Sequence, residues 1–194
     1  AQYIDLAGSL RIEDYYRTDL HWRQDRLLPA AKTLAQAMGA SVEEAFETQT
    51  LARDYYGLYY GYAALPVKPE TISYLTSDTI ESAVVTNFET NRTGAVYDME
   101  KAAGKNPYEM FLSGSVSLLT IENPNAKTDR ELVIFRDSFA SSLAPLLLDG
   151  YAKITLVDIR YLPSVRLGSF LTFTDQDVLF LYSVNVLNNS ETIK

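Results

Sequence analysis

Three short apolar runs do most to limit the fold. Leu132-Val133-Ile134-Phe135, Ile154-Thr155-Leu156-Val157 and Val178-Leu179-Phe180-Leu181 place apolar residues on consecutive rather than alternate positions. A strand solvated on one face alternates, so near-continuous runs belong to strands covered on both faces. Between the first two runs, Phe139 to Leu148 reads as a helix that ends at Gly150, with Pro145 as a kink. Parallel strands need such crossovers, and the expected arrangement is an α/β domain with three layers, helices on both faces of a mostly parallel central sheet. Sites in such sheets form at the C-terminal strand ends, where Ser138 and Asp158 lie.

The remaining elements are read from periodicity and punctuation. Leu27, Leu28, Ala31, Leu34, Ala35 and Met38 recur at helical spacing, with Gly39 as a stop and Pro29 tolerable only in the first turn. Ser41 with Glu44 has the form of a capping box for a short second helix. Val84-Val85 and Ala95-Val96-Tyr97 suggest a hairpin around Asn91-Arg92-Thr93-Gly94. Pro107 opens a short helix over Tyr108 to Leu112 that stops at Gly114.

Composition excludes several functions. Seventeen basic against twenty-five acidic residues give a net charge of −8, which argues against a nucleic-acid partner. With no cysteine, disulfides, thiolate metal sites and a cysteine nucleophile are ruled out. One histidine cannot build an ordinary zinc site, although carboxylates could hold a hard cation such as Ca²⁺. No glycine-rich phosphate loop occurs, and no cofactor or metal is expected. No apolar run approaches a membrane span, and the first residues do not read as a signal peptide. Fourteen tyrosines are many, and five cluster at Tyr55, Tyr56, Tyr59, Tyr60 and Tyr62. Such a cluster suits either a half-buried packing surface, the commoner case, or a sugar groove in which aromatic faces stack on apolar sugar faces.

His21 is the single histidine, and thus the one side chain whose ordinary pKa suits acid–base work near neutrality. Asp19 stands two residues before it. In an extended stretch the two would share a face, and the carboxylate could orient the imidazole. Ser138, in Phe135-Arg136-Asp137-Ser138-Phe139, sits where a buried strand gives way to a helix. A serine there commonly caps the helix, but the same turn offers backbone N–H groups to an oxyanion. The glycines that flank the nucleophile of α/β-hydrolases are absent.

Tyr16-Arg17-Thr18-Asp19-Leu20-His21-Trp22 resembles the signature of the DHHW protein family of Gram-positive bacteria, with leucine in place of the first histidine of its name. Met110-Phe111-Leu112-Ser113-Gly114, Ile121-Glu122-Asn123, Phe135 to Phe139 and Ile154 to Tyr161 extend the resemblance over most of the chain. That family is similar to the SGNH-like domains of bacterial alginate O-acetyltransferases, in which Asp-x-His precedes the nucleophilic serine. The resemblance implies an SGNH hydrolase-like, flavodoxin-like fold with Asp19, His21 and Ser138 as a triad. It also implies a carbohydrate or small acyl ester as substrate and an extracellular or cell-surface location. Ser115 follows Gly114 where an asparagine is expected, so oxyanion donors would come from Ser115, Gly114 or the Ser138 backbone. Family members are longer, with an upstream leader or membrane anchor; the expectation from the resemblance is that residues 1–194 form a single SGNH-like domain without the upstream elements of the full-length family members.

Two readings follow. In one, Ser138 attacks an O-acyl group on cell-wall or exopolysaccharide, His21 moves the proton, Asp19 orients His21, and Arg17, Trp22 and Arg136 contact substrate, the alternatives being a structural ion pair for each arginine and a core anchor for Trp22. In the other, the scaffold binds or assembles carbohydrate at the cell surface after its chemistry has lapsed.

Overall fold

A computed structural model describes residues 1–43, 45–63 and 66–193. Its strands are β1 (Glu47–Thr50), β2 (Ser73–Thr76), β3 (Val84–Asn87), β4 (Arg92–Gly94), β5 (Leu118–Glu122), β6 (Glu131–Arg136), β7 (Lys153–Val157) and β8 (Asp177–Leu181). Its α-helices are α1 (Leu28–Met38), α2 (Leu58–Ala63), α3 (Asp78–Ser82), α4 (Met99–Ala102), α5 (Phe139–Leu143) and α6 (Val184–Asn188). The central sheet runs β4-β3-β5-β7-β6-β8, and β1 with β2 forms a separate antiparallel pair.

The three apolar runs become β6, β7 and β8, which are adjacent and parallel. The expected hairpin from Val84-Val85 is present as the antiparallel pair β3–β4, joined by four residues, too few for the crossover that parallel neighbours need. The departure lies at β5, which pairs antiparallel with both β3 and β7. The sheet is therefore mixed, not mostly parallel. β5 carries the apolar Leu118 to Ile121, which the sequence reading had not recognised as a strand.

Leu119, Ile121, Leu132, Ile134, Ile154 and Leu156 pack on one face of the sheet against Leu27, Ala31 and Leu34 of the α1 region and Leu143, Leu146 and Leu147 after the turn at Ser138. On the other face, Leu118, Val133, Phe135 and Val157 lie under Leu162 and Leu167, near a 3₁₀ segment at Ser164–Ser169. Beside them Thr86, Thr120 and Thr155 line an open groove. Among the described residues this second face has a 3₁₀ cover where the three-layer expectation placed helices.

α1 follows its sequence closely. Pro29 lies in the first turn, Ala31, Leu34 and Ala35 are buried, and Gly39 closes the helix at φ +64° with its N–H on the Ala35 and Gln36 carbonyls. The helix after β6 is α-helical only to Leu143 and then tightens to a 3₁₀ helix over Ala144–Gly150. Pro145 explains the change, since it has no N–H for the Ser141 carbonyl. No helix follows Ser41: its hydroxyl donates to the Asp149 carbonyl at 3.3 Å, Glu44 is outside the described residues, and Glu47 opens β1. The hairpin turn falls at 88–91, because the Asn87 side chain accepts from the N–H of Glu89 and Thr90, so Arg92 to Gly94 form the strand. Pro107–Met110 is a 3₁₀ helix, followed by three residues at positive φ: Leu112 (54°), Ser113 (59°) and Gly114 (84°).

Arg130 joins the two ends of this architecture. Its guanidinium donates to the Met38 and Gly39 carbonyls at the C-terminus of α1 and to Asp177 at the start of β8. A cation at that end complements the helix dipole. Arg130→Ala is expected to lower stability by about 1–2 kcal/mol, the loss of partly exposed charge-assisted bonds. Urea unfolding checks this, with the slope of the transition unchanged.

Candidate active site

Asp19 and His21 sit at the tip of a loop closed by pairing of Tyr15 with Trp22 and by the Tyr16 N–H on the His21 carbonyl at 3.1 Å. They share a side for a different reason from the pleat expected. Asp19 Oδ1 accepts the backbone N–H of His21 at 3.0 Å, a turn made by the aspartate itself, and the same oxygen meets His21 Nδ1 at 2.6 Å. His21 Nε2 lies 2.7 Å from Ser138 Oγ. With Nδ1 donating to Asp19, Nε2 is left to accept the serine proton. The structure thus brings together the three residues singled out in the sequence, across 117 positions.

The three differ in access. The Asp19 side chain is 6% exposed and that of His21 13%, while Ser138 is half-buried. Burial alone would raise the Asp19 pKa. The hydrogen bonds from His21 and from the Leu58 N–H outweigh it and hold the group at about 2. Asp19 is therefore a fixed negative charge at neutral pH. Tyr108 stacks on the imidazole with ring centroids 4.0 Å apart, and burial pushes its phenol well above the ordinary range.

Asp19 owes its place to segments far away in sequence. Glu70 accepts the backbone N–H groups of Arg17 and Thr18 and the Thr18 hydroxyl, all at 3.1 Å. From the other side, Gly57 N–H donates to Thr18 Oγ1, Leu58 N–H to Asp19 Oδ2 and Tyr59 N–H to the Thr18 carbonyl, at 2.8–2.9 Å. The fit is close enough to require glycine: a Cβ on Gly57 would lie 2.3 Å from Asp19 Cβ. Nothing local in the sequence pointed to Glu70 or Gly57, since both act only through the fold. Gln24 and Ser142 were also missed. Gln24 bridges the Ser142 carbonyl and the Leu75 N–H. Ser142 Oγ accepts from Trp22 Nε1 at 2.8 Å and meets Tyr108 OH at 2.9 Å.

Several expected contacts are corrected. Trp22 is 5% exposed, and its indole N–H is directed at the Phe139 carbonyl and Ser142, so it anchors the nucleophile turn instead of lining a pocket. Arg136 is fully buried and cannot meet a ligand directly. It donates to the Ser141 hydroxyl and the Val116 carbonyl, tying the turn to the loop before β5. Asp137 accepts from the N–H groups of Phe139 and Ser183. Asp158, at the end of β7, is buried in a bidentate pair with Arg160. Arg17 remains exposed, with its guanidinium 3.5 Å from Glu70. Of the oxyanion donors, the Gly114 N–H is already bound to the Phe111 carbonyl and Ser115 is exposed. Among the described residues the Ser138 N–H has no backbone partner. No group of three or more histidine or acidic side chains with metal-binding geometry occurs among the described residues.

Comparison with solved structures adds a lineage. The chain is similar to a DHHW family protein from Eubacterium siraeum, at 27% identity and a TM-score of 0.67, over 93% of this chain and 63% of that one. It is also similar to PatB1 of Bacillus cereus, solved with a sulfonyl adduct, at 20% identity and a TM-score of 0.65, over 91% of this chain and 62% of that one. That second likeness is one of fold. The chain spans less than two thirds of the length of either structure. No protein-family model matches it, and no curated protein does. The family resemblance read from Asp19-Leu20-His21-Trp22 and the later motifs thus recurs in three dimensions.

Two outcomes follow from this geometry. An aspartate ionising near 2 when folded and near 3.8 when unfolded contributes stability in full above the unfolded value, and loses it as pH falls through the folded one. Between pH 5 and pH 2 the wild type should lose roughly 2 kcal/mol through this group, and Asp19→Asn should show a correspondingly shallower acid slope in urea unfolding. Gly57→Ala is expected to destabilise the fold by about 1–3 kcal/mol, and ¹H–¹⁵N spectra should show the disturbance centred on Thr18, Asp19 and His21.

Proposed function

We propose that this chain carries an SGNH-like serine acyl-transfer centre that acts on O-acylated carbohydrate at the cell surface or outside the cell. The observation that carries the reading is the unbroken series Asp19 Oδ1–His21 Nδ1 at 2.6 Å and His21 Nε2–Ser138 Oγ at 2.7 Å, ending on a serine that is half-buried. Both spacings lie within the range expected of a general base and its orienting group. The family resemblance supports the same assignment.

In this mechanism Ser138 Oγ attacks the ester carbonyl while Nε2 of His21 takes its proton. Asp19, held ionised, stabilises the imidazolium that results. The oxyanion draws on the Ser138 N–H, the donor left unused by the fold. Collapse breaks the ester bond, and the sugar oxygen leaves with the proton from His21. The acyl-enzyme is then attacked by water or by a second sugar hydroxyl, with His21 again the base. Hydrolysis and transfer use the same protein groups and differ in which nucleophile reaches the intermediate. No described helix is long and apolar enough to cross a membrane.

One observation favours the rival reading of a binding or assembly protein with lapsed chemistry. The Gly114 N–H is engaged with the Phe111 carbonyl, which removes one of the donors expected for the oxyanion. Turnover decides between the two. The triad reading expects wild-type hydrolysis of p-nitrophenyl acetate well above background, abolished in Ser138→Ala and His21→Ala and reduced roughly 10²–10⁴-fold in Asp19→Asn. A sulfonyl fluoride should add one adduct to the wild type, mapped by mass spectrometry to Ser138. Background rates in wild type and Ser138→Ala alike, with no adduct, would leave the binding reading in place.

A further inference from the structure

α2 is a helix that neither propensity nor packing accounts for. It spans only Leu58–Ala63, includes a glycine, and every side chain from Leu58 to Tyr62 is exposed. What holds it is backbone: its first N–H groups and that of Gly57 are bound to Thr18 and Asp19. The helix is therefore fixed to the carboxylate that orients His21, and displays Tyr56, Tyr59, Tyr60 and Tyr62 at 42%, 45%, 39% and 79% exposure. Tyr56 and Tyr60 touch, with ring centroids 4.4 Å apart.

Gly61 separates two of these rings and has no structural reason to be glycine. Its φ is not positive, and a Cβ built on it would meet nothing within 4 Å. Gly57, four residues earlier, is required by crowding; Gly61 leaves a gap on an open face. A missing side chain between exposed aromatic rings gives room for a flat ligand to settle onto them.

The chemistry of the patch narrows the ligand. Residues 55–62 carry no charge, and the exposed rings are tyrosines, whose hydroxyls remain in water while their faces offer apolar area. A surface made for another protein would look different, and this chain has one for contrast: Val178, Phe180, Val184 and Leu187 are exposed on β8 and α6 without hydroxyls. A net charge of −8 disfavours a polyanionic glycan. We infer that the α2 tyrosines, with the gap at Gly61, form a subsite for an uncharged pyranose chain that holds the glycan against the Asp19–His21–Ser138 site. This rests on the proposed acyl-transfer reading for its purpose, though not for its test.

Binding is measured by calorimetry on Ser138→Ala, which removes turnover, with chitopentaose and cellopentaose as probes. The inference expects at least one probe to bind, and affinity to fall about tenfold in Tyr59→Ala, Tyr60→Ala and Gly61→Leu. Gly61→Leu should retain or raise the urea midpoint, since it fills open space with a better helix former, so weaker binding there cannot be attributed to misfolding. In the active protein, the same variants should raise KM for acetylated chitopentaose and leave p-nitrophenyl acetate turnover unchanged. Failure of both probes to bind, or variants that bind like the parent, overturns the subsite while the triad stands on its own assay. A dimer in sedimentation that dissociates in Tyr59→Ala, without glycan binding, would also overturn it and make α2 a contact between copies. If p-nitrophenyl acetate turnover is absent but the probes bind as expected, the subsite holds and the acyl-transfer reading fails.

Discussion

The site depends on one buried carboxylate that three N–H groups hold in place. Asp19 accepts from the backbone and the ring of His21 on one oxygen and from Leu58 on the other. Each of these bonds favours the ionised form, which is why the group stays charged although it is almost fully buried. An unpaired buried charge would be intolerable, so the loop that carries Asp19 is confined to the geometry that supplies the donors. The imidazole orientation follows from that confinement, and the approach to Ser138 follows from the imidazole.

The nucleophile turn is held by a different set of groups. Trp22, next to His21 in the chain, reaches across to the Phe139 carbonyl and Ser142, and Gln24 binds the Ser142 carbonyl while accepting from Leu75. The residues following His21 thus fasten the loop to the helix that begins after Ser138. Arg136 fastens the same helix to the loop before β5. Loop and turn come from opposite ends of the chain, but they share buried polar partners, so their relative position is fixed by hydrogen bonds as much as by apolar packing.

Much of this was legible in the residues themselves. The runs at Leu132, Ile154 and Val178 were recognisable as buried strands because their character is local, and α1 announced its start at Pro29 and its end at Gly39. The single histidine and the strand-end serine likewise left little choice. The hairpin was legible but the place of its second strand was not, since β4 is formed by Arg92-Thr93-Gly94, residues of turn character that pair because Asn87 closes the turn earlier. Glu70, Gly57 and Ser142 were invisible for a related reason: each acts on residues 34–52 or more positions away, and no spacing rule reaches that far. Arg136 and Trp22 were misread as ligand contacts because a charge or an indole near a site suggests exposure, and burial is decided by the whole fold.

Because His21 is the single histidine, its ring nitrogens can be observed alone by ¹⁵N NMR of histidine-labelled protein at a pH where the ring is uncharged. The account predicts the Nδ1–H tautomer, a slowly exchanging and strongly deshielded ring proton, and loss of that signal in Asp19→Asn. A ring protonated on Nε2, or one whose signals are indifferent to substitution of both Asp19 and Ser138, would contradict it.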